Sequence, residues 1–205
     1  VQKYKIKNLC LAGGVALNCV ANGKILKEEV FENVWVQPAA GDAGGALGSA
    51  QALWYTEFKN DREVKKDDSM RGAYLGPSYS NEEVESDLKT LGAFYNKLSD
   101  EKIIEKTAQA ISEGKAIGWF QGKMEFGPRA LGGRSILGDP RSEKTQKQLN
   151  LKVKFRESFR PFAPSVLREH LESWFDLDCD SPYMLLVSEV NKNKQTETPE
   201  YKGLF

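Results

Sequence analysis

The chain has 205 residues, enough for one domain and part of a second. Its 29 Lys and Arg balance its 29 Asp and Glu, and the formal net charge is zero. This argues against nucleic acid or an acidic membrane captured by a bulk positive field. The three cysteines, Cys10, Cys19 and Cys179, form no CxxC pair. They therefore indicate neither a disulfide framework nor a zinc ribbon, and they suit a reducing, cytoplasmic setting as small buried hydrophobes. No secretory leader and no apolar run of bilayer-spanning length is read.

The first residues, VQKYKIKN, lead without Met into a short apolar run, so the chain is expected to be a piece of a longer protein. Residues 9–12 predict a parallel strand and Gly13-Gly14 the turn after it. Residues 15–27 predict one roughly amphipathic helix. Residues 34–36 predict a second strand, ended by Pro38. GDAGGALGSAQALWYTEF is a glycine turn entering a helix, with Trp54, Tyr55 and Phe58 as core. Strand–turn–helix repetition makes residues 1–58 α/β. Residues 59–71 (KNDREVKKDDSMR) are charged and aperiodic, which predicts a linker, with a solvated helix end as the alternative.

The second segment, 72–205, predicts α+β. Residues 74–77 read as a strand and turn. Ser80 with Glu83 forms a capping box that opens a helix over residues 81–91. Ser99 starts another over residues 100–112, with Ile103, Ile104, Thr107, Ala108 and Ile111 in one stripe and Gly114 closing it. Residues 116–120 predict a buried strand, with Trp119 and Phe120 as core. Residues 142–149 predict a helix, and 162–167 and 183–190 strands. The polar tail from Asn191 is expected to be loose.

The stretch Gly122–Arg141, GKMEFGPRALGGRSILGDPR, holds five glycines, two prolines, one lysine and three arginines. Gly and Pro interrupt regular elements. The mix suits a loop whose backbone N–H groups and guanidinium forks close on an anion. NLKVKFRESFRPFAPS repeats the signal, with Lys154, Arg156 and Arg160 among Phe155, Phe159 and Phe162. Both stretches are expected to face one cavity. The phenylalanines read as packing, with base stacking as the alternative. Glu125 and Glu157 are expected to hold the arginines in place. Gly13, Gly14 and Asn18 could bring backbone amides to a phosphate at a helix start. Asp42 reads either as an N-cap or as a carboxylate aimed at a metal or a ligand hydroxyl. His170, the only histidine, reads as a surface or packing residue.

LAGGVALNCVANGKI and QPAAGDAGGALGSA resemble the end of the actin-like domain of the O-carbamoyltransferases that modify antibiotics and nodulation factors. That domain is related to the tRNA threonylcarbamoyl transferases. GWFQGKMEFGPRALGGRSILGDPR and NLKVKFRESFRPFAPSVL resemble the C-terminal domain of the same enzymes, which is similar to threonylcarbamoyl-AMP synthase and has a twisted sheet. The resemblance runs to about Val190. It implies that carbamoyl phosphate and ATP yield carbamoyl-adenylate, and that the actin-like domain passes the carbamoyl group to a small-molecule hydroxyl, helped by a divalent metal such as Fe or Mg. It further implies Lys123, Arg129 and Arg160 as catalytic cations. Gly13, Gly14, Asn18, Arg134, Lys154 and Arg156 would contact nucleotide or carbamoyl phosphate. Asp42 would be the metal ligand, its histidine partners lying outside this chain. A homodimer is an assembly to test. The other reading is a basic nucleotide- or RNA-binding cleft without catalysis in isolation.

Overall fold

The computed structural model describes residues 5–196. Strand β1 (Asn8–Leu11) pairs in parallel with β2 (Asn33–Val36), with Leu9 opposite Val34 and Leu11 opposite Val36. The connection holds a 3-10 turn, Gly14–Leu17, and helix α1, Cys19–Lys27. The single helix expected over residues 15–27 is thus broken. Asn18 breaks it: its side chain accepts the Ala21 N–H at 3.1 Å while its own backbone is non-helical, so it serves as N-cap. Helix α2 (Asp42–Ala52) follows β2 and widens into a π-helical turn, Leu53–Glu57. Trp54 and Phe58 meet edge to face at 6.4 Å but stay 52% and 62% exposed, so the core expected there is not covered by described residues.

The linker holds no regular element before the 3-10 turn Arg71–Ala73. It is nevertheless tied down. Asp68 accepts the N–H groups of Met70 and Gly72, both at 2.9 Å, and the Tyr183 hydroxyl. Residues 74–77 are not a strand. They run beside 124–126 through Gly76 N–H to Met124 O, Met124 N–H to Pro77 O, and Phe126 N–H to Ala73 O, at 2.7–2.9 Å. Pro77 has no N–H with which to extend the ladder.

Helix α3 (Asn81–Thr90) carries the capping box foreseen: Glu83 N–H reaches Ser80 Oγ at 3.2 Å, and Ser80 N–H reaches Glu83 Oε2 at 2.7 Å. Ser99 caps α4 (Asp100–Ser112), and Gly114 leaves it at φ +79°. Strand β3 (Ile117–Phe120) pairs antiparallel with β4 (Arg134–Leu137), a strand inside the stretch expected to be loop throughout. Phe120 is no core residue: it is 60% exposed, and the Arg134 guanidinium covers its ring at 3.4 Å.

Helix α5 (Thr145–Gln148) continues as a π-helical turn, Leu149–Lys154, and ends at Phe155 in the left-handed region. The strands expected over 162–167 and 183–190 do not form. Pro161 and Pro164 remove donors around the first, and the second makes only one bridge among the described residues, Val190 with Phe175. After helix α6 (Leu171–Trp174) the chain packs back on α1. Asn22, only 2% exposed, donates to Ala16 O at 2.8 Å and Leu185 O at 3.0 Å. A Cβ on Gly23 would sit 2.7 Å from Val187 O. Lys27 bridges Asp176 and Glu189 at 3.6 and 3.5 Å. The cysteines are not buried: Cys10 is exposed, Cys19 and Cys179 partly so. Of the expected loose tail, Lys192–Lys194 is a 3-10 turn, and residues 197–205 lie outside the described residues.

Candidate functional site

Three turns far apart in sequence meet at one seam. Gly13, at φ +90°, donates its N–H to Ala40 O at 2.8 Å, which locks the turn after β1 onto the turn before α2. Gly127, at φ +115°, brings the glycine–arginine loop against the same turn. A Cβ there would lie 2.4 Å from the Ala39 Cβ, so no larger residue fits. Ala16, Ala39, Ala40 and Ala73, all buried, mark how closely these backbones approach.

Arg129 crosses the seam. Its Nη2 donates to Leu17 O at 3.0 Å, while its Nε is buried without any partner. Arg129 makes no salt bridge among the described residues. A shielded guanidinium donor without an acceptor is costly. Gly13 and Gly14 have open space where side chains would stand. Asn18, at the end of the same turn, uses its Oδ1 to cap α1.

The loop's backbone amides over residues 131–134 do not stand open for a ligand. Glu125, 7% exposed, accepts three of them on Oε1: Leu131 N–H and Gly133 N–H at 2.7 Å and Arg134 N–H at 3.2 Å. Gly132 N–H goes to Ser135 Oγ at 2.9 Å. Burial pushes the Glu125 carboxyl up, but the amides outweigh it and hold its pKa below the usual glutamate value. Glu125 therefore grips the loop's backbone, and does not hold a guanidinium as the sequence reading expects. Arg134 clasps the loop mouth, donating to Gln121 O, Gly122 O and Gly133 O at 2.8–3.1 Å. Lys123 is exposed and makes no salt bridge among the described residues.

The second basic stretch folds around Asn150, which is fully buried. Its Nδ2 donates to Ser158 O at 3.1 Å and Arg160 O at 2.8 Å, and its Oδ1 accepts from Arg156 Nε at 2.6 Å. The Arg156 guanidinium lies 4.9 Å from the Phe162 ring centre. Arg160 pairs with Glu157 at 2.8 Å, as foreseen, in an exposed contact. Lys154, Phe155 and Phe159 point outward, the two rings 84% and 68% exposed, so they do not pack as expected.

No hydrogen bond or ion pair among the described residues joins the Lys123–Arg134 group to the Lys154–Arg160 group. A cavity of about 380 Å³ lies between β2 and residues 179–186, and another of about 110 Å³ lies beside α5; neither is lined by a predicted site residue. Asp42 is exposed at the first turn of α2, and no group of three or more His, Cys, Asp or Glu gathers among the described residues. One carboxylate does not fit a divalent metal by itself. His170 is exposed, in line with its surface reading. Sequence reasoning missed Asn150, although an asparagine inside the apolar run LNLKV was a usable signal for a buried, hydrogen-bonded side chain.

No helix among the described residues is long and apolar enough to cross a membrane. The family model for the carbamoyltransferase N-terminus matches residues 1–51, and that for the carbamoyltransferase C-terminus matches residues 108–202. An uncharacterised protein of Synechocystis sp., sll1178, is 56% identical over the whole chain, which covers 34% of that relative. Nodulation protein NolNO of Sinorhizobium fredii is 43% identical over 93% of the chain and 28% of the relative. Nodulation protein NolO of Bradyrhizobium diazoefficiens is 42% identical over 91% of the chain and 34% of the relative. The chain thus spans about a third of the length of the curated relatives it matches. The two matched segments meet at the seam that Gly13, Gly127 and Arg129 build, and the chain belongs to the carbamoyltransferase family.

Proposed function

We propose that this chain supplies the nucleotide-activating side of an O-carbamoyltransferase. Residues 1–58 would be the end of an actin-like transfer domain and residues 72–205 a synthase-like domain that makes carbamoyl-adenylate. In the overall reaction carbamoyl phosphate, ATP and water give carbamoyl-adenylate, pyrophosphate and inorganic phosphate. A small-molecule hydroxyl then takes the carbamoyl group and releases AMP. The observation that carries this reading is the Arg129 contact across the seam, with one guanidinium donor satisfied by Leu17 O and another buried without a partner. Lys123 extends from the same loop.

The chemistry asks for these cations. Triphosphate and carbamoyl phosphate repel each other, and fixed positive donors lower the cost of bringing them together. Each donor aimed at developing charge is worth ~2–4 kcal/mol. Arg129 suits a fixed, forked contact and Lys123 a movable point charge. Arg160, Lys154 and Arg156 would come in from the second loop. Asp42 would need ligands from the rest of a longer protein, and no step is assigned to a metal. The test is carbamoyl phosphate-dependent ATP/pyrophosphate exchange by the full-length protein. We expect exchange in wild type and a loss of a hundredfold or more, in order of magnitude, in a Lys123→Ala/Arg129→Ala double variant. Unchanged exchange in that variant overturns the site.

One observation favours a second reading, a single-stranded RNA or nucleotide cleft: Phe155 and Phe159 stand exposed among Lys154, Arg156 and Arg160. RNA binding with a steep salt slope would support it, and no binding at low salt would dismiss it.

A further inference from the structure

Loops rich in glycine commonly leave their N–H groups for a ligand anion. Here the anion is part of the chain. Three amides within four residues converge on one oxygen of Glu125, and that carboxylate is buried and has no salt bridge among the described residues. The fit is tight from the other side too. A Cβ on Gly133 would lie 3.1 Å from the Glu125 carboxyl carbon and 2.7 Å from Lys123 O. The same turn is held from outside by the Tyr74 hydroxyl, which donates to Leu131 O. Between the Gly127 contact with Ala39 and the Glu125-bound amide of Leu131 only Pro128, Arg129 and Ala130 remain. Proline fixes φ at the first of these. Arg129 is therefore carried on a span pinned at both ends.

We propose that Glu125 is a positioning residue: its carboxylate gathers the amides of Leu131, Gly133 and Arg134 and so fixes the span that aims Arg129 across the seam. The role rests on the activation reaction proposed above. Glu125 does not touch the phosphates. It takes up the amides that would otherwise compete for them, and it leaves anion recognition to the Lys123 and Arg129 side chains.

The geometry dictates the variants. All three amides bind Oε1, so Glu125→Gln retains an accepting oxygen, whereas Glu125→Ala leaves three donors around an empty space the size of a small carboxylate. In the full-length protein, Glu125→Ala should lower carbamoyl phosphate-dependent exchange about a hundredfold, the order expected when a catalytic group is misplaced by an ångström. Glu125→Gln should keep most of the activity. Added formate should restore Glu125→Ala in a saturable way and leave wild type and Glu125→Gln unmoved, a response that general destabilisation does not give. Formate should also raise the melting temperature of Glu125→Ala alone. Wild-type exchange in Glu125→Ala, or a loss that formate does not touch, overturns the positioning role. If wild type itself shows no exchange, the activation reading falls, and the amide cradle is then decided by the formate-dependent melting shift: its absence overturns the cradle as well.

Discussion

The loop over residues 121–134 and the segment over residues 150–160 both set cations beside aromatics, yet they fold on opposite plans. The first is gripped by a carboxylate at its centre and an arginine at its mouth, and it lies against another turn through Gly127. The second wraps around one neutral amide, Asn150, and sends Lys154, Phe155 and Phe159 outward. A charged clasp inside the protein gives short, oriented bonds and a rigid span. A neutral hub holds backbone carbonyls and the Arg156 Nε, and of the cations around it leaves Lys154 without a partner among the described residues. The difference teaches that a cation's place in a sequence motif does not reveal whether its donors are already engaged. Arg134 and Arg129 lie five residues apart, and the guanidinium of one makes three hydrogen bonds to the loop while that of the other makes one and keeps a buried Nε without a partner.

If that contrast holds, removing the neutral hub should cost the most stability. Asn150→Ala strands the Ser158 carbonyl and the Arg156 Nε and leaves the Arg160 carbonyl with Gln146 alone, and we expect a loss of about 3 kcal/mol in urea denaturation. A loss confined to a few tenths would mean that the second loop is not built on Asn150. Next comes the seam. Gly127→Ala meets both the Ala39 side chain and an unfavourable φ, and should cost about 2 kcal/mol. Its effect should shrink to the share owed to the positive φ in a shortened chain lacking residues 38–42, provided that chain folds by circular dichroism.

A smaller effect is expected at the latch that ties the linker to the C-terminal part. Burial, and then the hydrogen bond to Asp68, push the Tyr183 phenol up to about 12. A folded-state value above the ordinary value near 10 means that the contribution is complete below about pH 10. It fades as pH rises through about 12. Tyr183→Phe should therefore cost about 1 kcal/mol at neutral pH, with the gap from wild type closing between those limits. A gap that is constant up to pH 12 would refute the latch. Least of all should follow from Glu157→Gln, since the Arg160–Glu157 pair is half exposed on both sides. Exposed pairs of this kind add little, so the melting temperature should not change measurably.

Much of the local structure was legible beforehand, for reasons that lie in a few residues. Ser80 with Glu83, Ser99 and Gly114 state helix ends through bonds made within one turn of sequence, so α3 and α4 appeared where they were read. The β1–β2 pair followed from short apolar runs bounded by glycine and proline. The failures involve distant partners. β4 was hidden because RSIL becomes a strand only when β3 lies beside it, and residues 183–190 look like a strand but are captured by Asn22 and Gly23. At the site, the cations are legible in the sequence as a local concentration. Which of them is free was not readable, because Glu125 meets the Leu131, Gly133 and Arg134 amides only once the loop has closed.

The most direct test is a crystal structure of the full-length protein with ATP or a non-hydrolysable analogue and carbamoyl phosphate. The account predicts phosphate oxygens within hydrogen-bonding distance of Arg129 and Lys123, beside the turn at Gly13 and Gly14, with Glu125 still holding its three amides. Phosphates bound elsewhere, with Arg129 turned only toward Leu17, would contradict it.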